Sequence, residues 1–379
     1  MSDQTVAASR AARSDADLEP GARRETMSAG QPRAGNGADQ RWRNRQSGYA
    51  GQSETYAALD LGTNNCRLLV ARPARDGFRV VDAYSRIVRL GEGIALTNRL
   101  ADTAIHRAIE ALKICRAKID GRGVTRARLV ATEACRSTEN GALFIQRVRE
   151  ETGLALEIID RRTEAHLAAA GCTALADPAA NDVVLFDIGG GSTEIVWVAD
   201  RPRGRSGERD VRAWVSLPVG VVTLADRYGG ETVTRETFEA MVCEVTKMLE
   251  GFAREARHAA RTPRFHLLGT SGTVTTVAGL HLKLHRYDRK QVDGIWMRWP
   301  EVAEVIDGLL DMSFSERACN GCIGSDRADL VLAGCAILEA IHRAFPATRL
   351  RIADRGLREG ILMGLMQQDG AWGPGRRRQ

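Results

Sequence analysis

The sequence predicts an α/β protein built from two similar halves, each with a mixed β-sheet flanked by helices. Two observations lead to this prediction. The same order of elements, three strands, a helix, a strand and a helix, occurs twice along the chain. Each half also opens with a short apolar strand that ends in an Asp and a glycine-rich turn, at 60–65 and at 187–194. Alternating strands and helices are typical of sheets covered by helices on both faces.

In the first half, short apolar runs bounded by turn residues predict strands at 56–61, 66–71 and 78–84. Ile105, Ile109, Leu112 and Ile119 recur at the spacing of one helix face, which predicts a helix. The same patterns then predict a strand at 128–132, a helix at 143–149, a strand at 156–159 and a helix at 161–171.

The second half repeats this order. Strands are predicted at 183–188, 193–199 and 211–217, followed by a helix at 238–253, a strand at 265–268 and a helix at 272–284. A long helix at 327–344, a strand at 350–352 and a closing helix at 357–366 complete the prediction. We therefore expect one domain at 54–162, joined by the closing helix at 355–368, and a second domain at 163–354.

The two ends of the chain differ from this pattern. Residues 1–53 contain hardly a large apolar side chain, so we expect a disordered tail that cannot offset its chain entropy by burial. Residues 370–379 are rich in Gly and Arg and predict a flexible basic tail. No apolar run is long enough for a membrane span and no signal-peptide core is present, which favours a cytoplasmic protein.

The charge pattern suits an anionic ligand. The net charge is +6, and Arg supplies almost all of the positive charge, with Lys at 113, 118, 247, 283 and 290 only. Arg binds phosphate bidentately, although a genome biased towards Arg codons gives the same composition. The eight cysteines form no secreted disulfide pattern, and Cys319 and Cys322 lack the second pair of ligands that a zinc site needs.

The glycine-rich loops are the candidate phosphate sites. Glycine lets the backbone approach a ligand closely, and successive N–H groups in such turns bind anions. One loop alone could be a plain hairpin turn, whereas two at matched places favour a ligand site. A third loop opens a helix, where free N–H groups and the helix dipole favour phosphate. The candidate residues are Gly62, Thr63, Asn64, Asn65, Gly189, Gly190, Gly191, Ser192, Thr193, Gly269, Thr270, Ser271 and Gly272.

Three carboxylates accompany the first two loops. Asp60 ends the first strand, and Asp187 and Glu194 flank the second loop. A carboxylate only accepts hydrogen bonds, so beside a phosphate it must orient a water molecule or hold a metal ion, usually Mg²⁺. We therefore expect these three residues to be metal ligands, with Glu194 also a candidate catalytic residue.

Taken together, the motifs resemble the exopolyphosphatase and guanosine pentaphosphate phosphatase family of the actin-like superfamily, in its short two-domain form. The resemblance covers about 55–366 and implies two ribonuclease-H-like domains that face each other across a cleft. Each motif is weak alone, but their order is specific. The motifs are DLGTNN at 60–65, LGEG at 90–93, ATEACR at 131–136, EAHL at 164–167, DIGGGSTE at 187–194, LPVG at 217–220, GTSGT at 269–273 and DRGLREG at 354–360.

The resemblance also implies roles for single residues. Glu164 occupies the position of the family's proposed water-activating base, and Arg136 that of an arginine lining the phosphate path. The family usually has Arg where this chain has His166 and an acid where it has Thr163, which changes the charge around Glu164. The implied reaction is metal-assisted release of terminal orthophosphate from inorganic polyphosphate or guanosine pentaphosphate.

Other functions stay open at this point. A non-catalytic regulator that binds polyphosphate or an alarmone would keep the loops without needing Glu164 as a base. A nucleotide-dependent actin-like ATPase or kinase would share the loops, but the segment around Glu164 favours the phosphatase. No aromatic RNA-binding motif supports a nucleic-acid partner, no membrane partner is expected, and a homodimer is left open.

Overall fold

The protein was analysed as a computed structural model that describes residues 54–75, 77–200 and 209–372. The predicted N-terminal tail and residues 373–379 of the predicted C-terminal tail lie outside these ranges. The described residues form two mixed sheets flanked by helices, which confirms the predicted fold class. In this part of the chain, no helix has the length and apolar character needed to cross a membrane.

The first sheet has five strands in the order β3-β2-β1-β4-β5. The first three strands form an antiparallel meander, and β4 and β5 add in parallel to β1. The strands are β1 (Tyr56–Leu61), β2 (Asn65–Ala74), β3 (Gly77–Ile87), β4 (Arg126–Ala131) and β5 (Glu157–Ile158). The helices of this half are α1 (Ile94–Thr97), α2 (Asp102–Gly121), α3 (Glu133–Ser137) and α4 (Gly141–Thr152).

The second sheet has six strands in the order β10-β11-β9-β6-β7-β8. They are β6 (Asp182–Ile188), β7 (Thr193–Asp200), β8 (Arg209–Leu217), β9 (His266–Thr270), β10 (Trp296–Arg298) and β11 (Arg349–Ala353). The remaining helices are α5 (Arg161–Cys172), α6 (Val221–Tyr228), α7 (Arg235–Glu255), α8 (Gly272–His281), α9 (Arg289–Val292), α10 (Trp299–Asp311), α11 (Phe314–Cys319), α12 (Val331–Ala344) and α13 (Leu357–Gln368).

The second half departs from the predicted elements at several points. Strand β10 and the helices α6 and α10 were not predicted. The helix predicted at 272–284 ends at His281, because Lys283 adopts a left-handed conformation with φ 53° and Leu284 N–H bonds back to the Gly279 carbonyl, as in a Schellman motif. The helix predicted from 327 begins only at Val331, because Gly324 (φ 76°) and a 3₁₀ turn at Ser325–Arg327 precede it.

Helices α5 and α13 join the two sheets. The buried side of α13, including Leu357, Ile361 and Leu362, packs against the first sheet, whereas α5 packs through small residues against the second. The two helices touch through glycines: a Cβ on Gly171 would lie 2.0 Å from the Gly356 carbonyl oxygen, and one on Gly360 2.0 Å from that of Leu167. Glycine is required at this crossing because the backbones are in direct contact.

Candidate active site

The first two glycine loops are equivalent turns at matched positions of the two sheets. In each loop the first glycine donates its N–H to a carbonyl three residues later, from Gly62 to Asn65 and from Gly189 to Ser192, both at 2.9 Å. Strand pairing sets Asp60 opposite Arg67 in the first hairpin and Asp187 opposite Glu194 in the second. The internal repeat therefore places one carboxylate pair and one carboxylate–arginine pair at the ends of the two hairpins.

The two loops lie against each other and line one cavity. A Cβ on Gly190 would lie 3.0 Å from the backbone nitrogen of Asn64, and one on Gly191 would lie 2.6 Å from Oγ1 of Thr63. The cavity encloses about 990 Å³, including space open to solvent. Its lining also includes Asn65 and Ser192. Side chains at the two glycine positions would close the space between the loops.

Neighbouring backbone N–H groups donate hydrogen bonds to the carbonyls of the loops. Val88 and Arg89 donate their N–H groups to the Asn64 carbonyl at 2.9 and 3.1 Å. Val221 and Val222, at the start of α6, donate to the carbonyls of Gly189 and Gly190 at 2.9 and 2.8 Å. With the carbonyls occupied in this way, the loop amides are the groups that remain available to an anion.

The third loop contributes Ser271 and Gly272 to the cavity. Ser271 has φ 99°, a conformation that non-glycine residues rarely adopt and that recurs at ligand sites. Its Oγ is buried and has no hydrogen-bond partner, as is also true of the Oδ1 atoms of Asn64 and Asn65. Buried polar atoms without partners usually mark the place of a bound water, ion or ligand.

Three of the candidate loop residues do not line the cavity. Thr193 donates its hydroxyl to the Val219 carbonyl at 2.7 Å, and Thr270 donates to the Arg355 carbonyl at 2.6 Å. A Cβ on Gly269 would lie 2.6 Å from the ring of Phe186. These residues support the loops from inside the second half.

Five carboxylates line the cavity, and four of them share a raised pKa: Asp60, Glu164, Asp187 and Glu194. Burial raises the pKa of each. The pKa of Asp187 rises to about 6, and that of Glu194 to about 7 with a further contribution from the charge of Asp187. For Glu164, the negative charge of Glu194 adds to the effect of burial, whereas Arg136 opposes it. Carboxylates with raised pKa values are suited to acid–base chemistry, and a bound cation would favour their ionised forms.

Glu164 lies in the first turn of α5, which begins after the N-cap Asp160. Its Oε2 accepts a hydrogen bond from Nη2 of Arg136 at 3.0 Å. Arg136 also donates to Glu133 and, at 2.6 Å, to the Ile159 carbonyl, and it does not itself line the cavity. The guanidinium is therefore already occupied by two carboxylates and a carbonyl.

Glu133 lines the cavity between these groups. Its side chain is 8% exposed and also pairs with Arg161 at 2.8 Å. Burial opposes its ionisation, but the hydrogen bonds from Arg161 and Arg136 prevail and lower its pKa. Glu133 is thus an ionised carboxylate that anchors Arg136, in contrast to the four carboxylates whose pKa values are raised.

Sequence reasoning missed three arginines around the cavity: Arg67, Arg327 and Arg358. Arg67 and Arg327 line it, and among the described residues neither has an ion-pair partner. Nη1 of Arg327 lies 3.5 Å from where a Cβ on Gly272 would stand. Arg358 is half-buried in α13 and acts electrostatically on Asp60 and Asp187. A signal for Arg67 existed, since it occupies the position in DLGTNNCR that Glu194 occupies in DIGGGSTE.

The carboxylates Asp60, Asp187 and Glu194 are oxygen donors of the kind that Mg²⁺ prefers. Burial raises their pKa values, so a cation beside them would relieve the cost of their ionisation. Within the described ranges, no group of three or more His, Cys, Asp or Glu side chains is arranged to hold a metal ion by itself. The donor set therefore fits an ion completed by phosphate and water, not an all-protein cage.

Comparison with known proteins identifies a family for this chain. Residues 69–369 match the Ppx/GppA phosphatase family. Exopolyphosphatase 2 of Mycobacterium tuberculosis is 30% identical over 324 residues, which cover 82% of this chain and 98% of that protein. The crystal structure of an exopolyphosphatase-like protein aligns with TM-score 0.74 and 29% identity, over 83% of this chain and 98% of that one. The crystal structure of the Ppx/GppA family member of Aquifex aeolicus aligns with TM-score 0.63 and 27% identity, over 83% and 98%.

Proposed function

This chain belongs to the Ppx/GppA phosphatase family, and on that premise we propose that it releases terminal orthophosphate from inorganic polyphosphate by attack of a water that Glu164 activates. The observation that carries the proposal is the content of one cavity. Backbone loops, two arginines without ion-pair partners and a buried carboxylate with a raised pKa all line it. Phosphoryl transfer requires these two functions together, charge neutralisation and a positioned nucleophile.

Phosphate binding and proton transfer are assigned to different groups of the cavity. The loop amides and the side chains of Arg67 and Arg327 bind the oxygens of the terminal phosphoryl group. Glu164 accepts the proton of the attacking water, and Arg136 holds its carboxylate in place. General-base assistance of this kind is typically worth roughly 10²–10⁴-fold in rate. The raised pKa of Glu164 suits the role, because a base with a pKa nearer to neutrality is a better proton acceptor.

We further propose that Asp60, Asp187 and Glu194 hold a divalent cation, most simply Mg²⁺. Held there, such an ion would supply positive charge against the phosphoryl oxygens and the leaving group. All three residues line the cavity, and Ser216 donates its hydroxyl to Oε1 of Glu194 at 2.8 Å.

Polyphosphate is proposed ahead of guanosine pentaphosphate on the strength of two similar proteins. The Mycobacterium tuberculosis relative is an exopolyphosphatase, and one aligned crystal structure is that of an exopolyphosphatase-like protein. Guanosine pentaphosphate presents the same terminal phosphoryl group, so the cavity chemistry alone does not separate the two substrates.

The test is a phosphate-release assay on the purified chain, with polyphosphate, guanosine pentaphosphate and ATP in parallel, each with Mg²⁺ or with EDTA. We expect release from polyphosphate that depends on Mg²⁺ and is lost in Glu164→Gln. Tight binding of polyphosphate without release would instead favour a non-catalytic regulator. Turnover of ATP alone would favour an actin-like ATPase and overturn the proposal.

A further inference from the structure

Arg89 contacts both sides of the cavity. It follows β3, and its backbone N–H donates to the Asn64 carbonyl in the first phosphate loop at 3.1 Å. Its guanidinium reaches the other half of the molecule, where Nη1 and Nη2 donate to the two carboxylate oxygens of Asp329, each at 2.8 Å. Nη2 also donates to the Asp326 carbonyl at 3.0 Å. One residue thus ties the first loop to a segment more than two hundred positions away in sequence.

The backbone of Arg89 is strained. Its φ is 45°, in the left-handed region that costs a non-glycine residue on the order of 1 kcal/mol or more. Arg107 helps to hold this conformation, because its guanidinium donates to the carbonyls of Val88 and Arg89 at 3.0 and 3.3 Å. Strain that the surrounding structure maintains is a reason to look for a functional task at this residue.

Arg327 lies in the segment that Arg89 contacts. Asp326 and Asp329 flank Arg327, whose side chain lines the cavity beside Gly272. From the opposite side, the fully buried Arg317 donates to the Ala328 carbonyl at 3.0 Å. Two arginines therefore fix the short turn before α12, one from within the second half and one from the first.

We propose that the Arg89–Asp329 ion pair positions Arg327 against the substrate phosphate and couples its placement to the first phosphate loop. Arg89 and Asp329 are positioning residues, since they do not touch the reacting atoms. This inference deepens the proposed function and rests on it. Arg327 has no ion-pair partner of its own among the described residues, so the turn that carries it determines where its guanidinium lies. Misplacement of a binding group by as little as 1 Å can cost a large factor in activity.

The pair is suited to this task without being important for stability. The side chains of Arg89 and Asp329 are 31% and 23% exposed. Ion pairs that water reaches contribute little to folding, with a median of about 0–1 kcal/mol. A change at Asp329 should therefore alter the placement of the turn while the fold persists. Because the placement of the turn can change without loss of the fold, the proposal can be tested by kinetics.

The experiment compares wild type with Asp329→Asn, Arg89→Ala, Arg327→Ala and the double variant Arg89→Ala/Arg327→Ala. Asp369→Asn is the matched control, because Asp369 is also 23% exposed and pairs with Arg126 at the far end of β4. KM and kcat for polyphosphate are measured by phosphate release. Amide hydrogen exchange of peptides covering 324–330 is measured in parallel.

We expect Asp329→Asn and Arg89→Ala to raise KM about tenfold, with kcat within about twofold, and to speed exchange at 324–330. The double variant should have the KM of Arg327→Ala, because Arg89 acts through Arg327. Asp369→Asn should match wild type throughout. An unchanged KM in Asp329→Asn, or additive effects in the double variant, overturns the inference. If the wild type releases phosphate in the same assay, the proposed function stands. If wild type releases no phosphate, the proposed function fails, and unchanged exchange in Asp329→Asn then still refutes the coupling of the turn.

Discussion

Arg136 donates from Nη2 to Oε2 of Glu164 over 3.0 Å, and the same nitrogen donates to Oε2 of Glu133. One guanidinium nitrogen is therefore shared by an ionised carboxylate and a carboxylate that tends to hold a proton. Through this contact Arg136 both orients Glu164 and lowers its pKa against the effect of burial. The role of a phosphate ligand, which the family resemblance implies for Arg136, remains a prediction.

Glu164→Gln should lower kcat by roughly 10²–10⁴-fold, because the amide keeps the size of the side chain but cannot accept the proton of the attacking water. Polyphosphate affinity, measured by calorimetry, should stay within about threefold of wild type, since the base acts in the transition state. Glu157→Gln is the control, because Glu157 is exposed on β5 and pairs with Arg128 at the surface. Wild-type turnover in Glu164→Gln would falsify the assignment of the base and redirect it to Glu194.

Arg136→Ala should move the acidic limb of the kcat/KM profile to higher pH. The positive charge of Arg136 favours the ionised form of Glu164, so its removal raises the pKa of Glu164 further and leaves less base at neutral pH. Activity should then recover partly as the pH is raised. Arg136→Lys keeps the charge and should shift the limb less. A profile of unchanged shape, merely scaled down, would show that Arg136 does not tune Glu164.

Gly190→Val should raise KM and lower kcat together. A Cβ at this position would lie 3.0 Å from the backbone nitrogen of Asn64 and 3.0 Å from Cβ of Thr63, closer than ordinary contact, so the loops must move apart. Gly251→Ala is the control, because Gly251 lies in α7 with nothing within 4 Å of its Cβ position. That change should leave kinetics untouched and stabilise the helix by up to about 1 kcal/mol. Normal kinetics in Gly190→Val would show that the close approach of the two loops is not needed for substrate binding.

Asp187→Asn should abolish activity and stabilise the fold in EDTA at pH 8. Burial raises the pKa of Asp187 from 3.8 to about 6, so above pH 6 the folded protein carries the cost of a buried charge. A shift of this size corresponds to about 3 kcal/mol at most. At pH 4 the carboxyl is protonated in the folded state and partly protonated in the unfolded state, so most of the gain in Tm should vanish. Asp120→Asn, an exposed residue of α2, should change Tm far less at either pH. An equal gain at pH 4 and pH 8 would rule out the ionisation of Asp187 as its cause.

Local sequence was sufficient to predict much of this protein. The strands that end in Asp60 and Asp187 are apolar runs, and glycine is the residue that lets a turn approach another backbone, so both loops could be placed without coordinates. Because the two halves repeat one order of elements, the fold class also followed from the sequence. The resemblance to a family then directed attention to Glu164 and Arg136.

Tertiary structure decided which charged residues enter the cavity. Arginine is usually exposed, so no local pattern distinguishes Arg327 from an ordinary surface cation. A 3₁₀ turn before α12 directs Arg327 inward, and the pairing of Arg89 with Asp329 spans 240 positions in sequence. The contact of Arg136 with Glu164 depends likewise on how α3 meets α5. Periodicity reports which face of an element is apolar, whereas the partner of a buried charge is set by elements that meet only after the chain has folded.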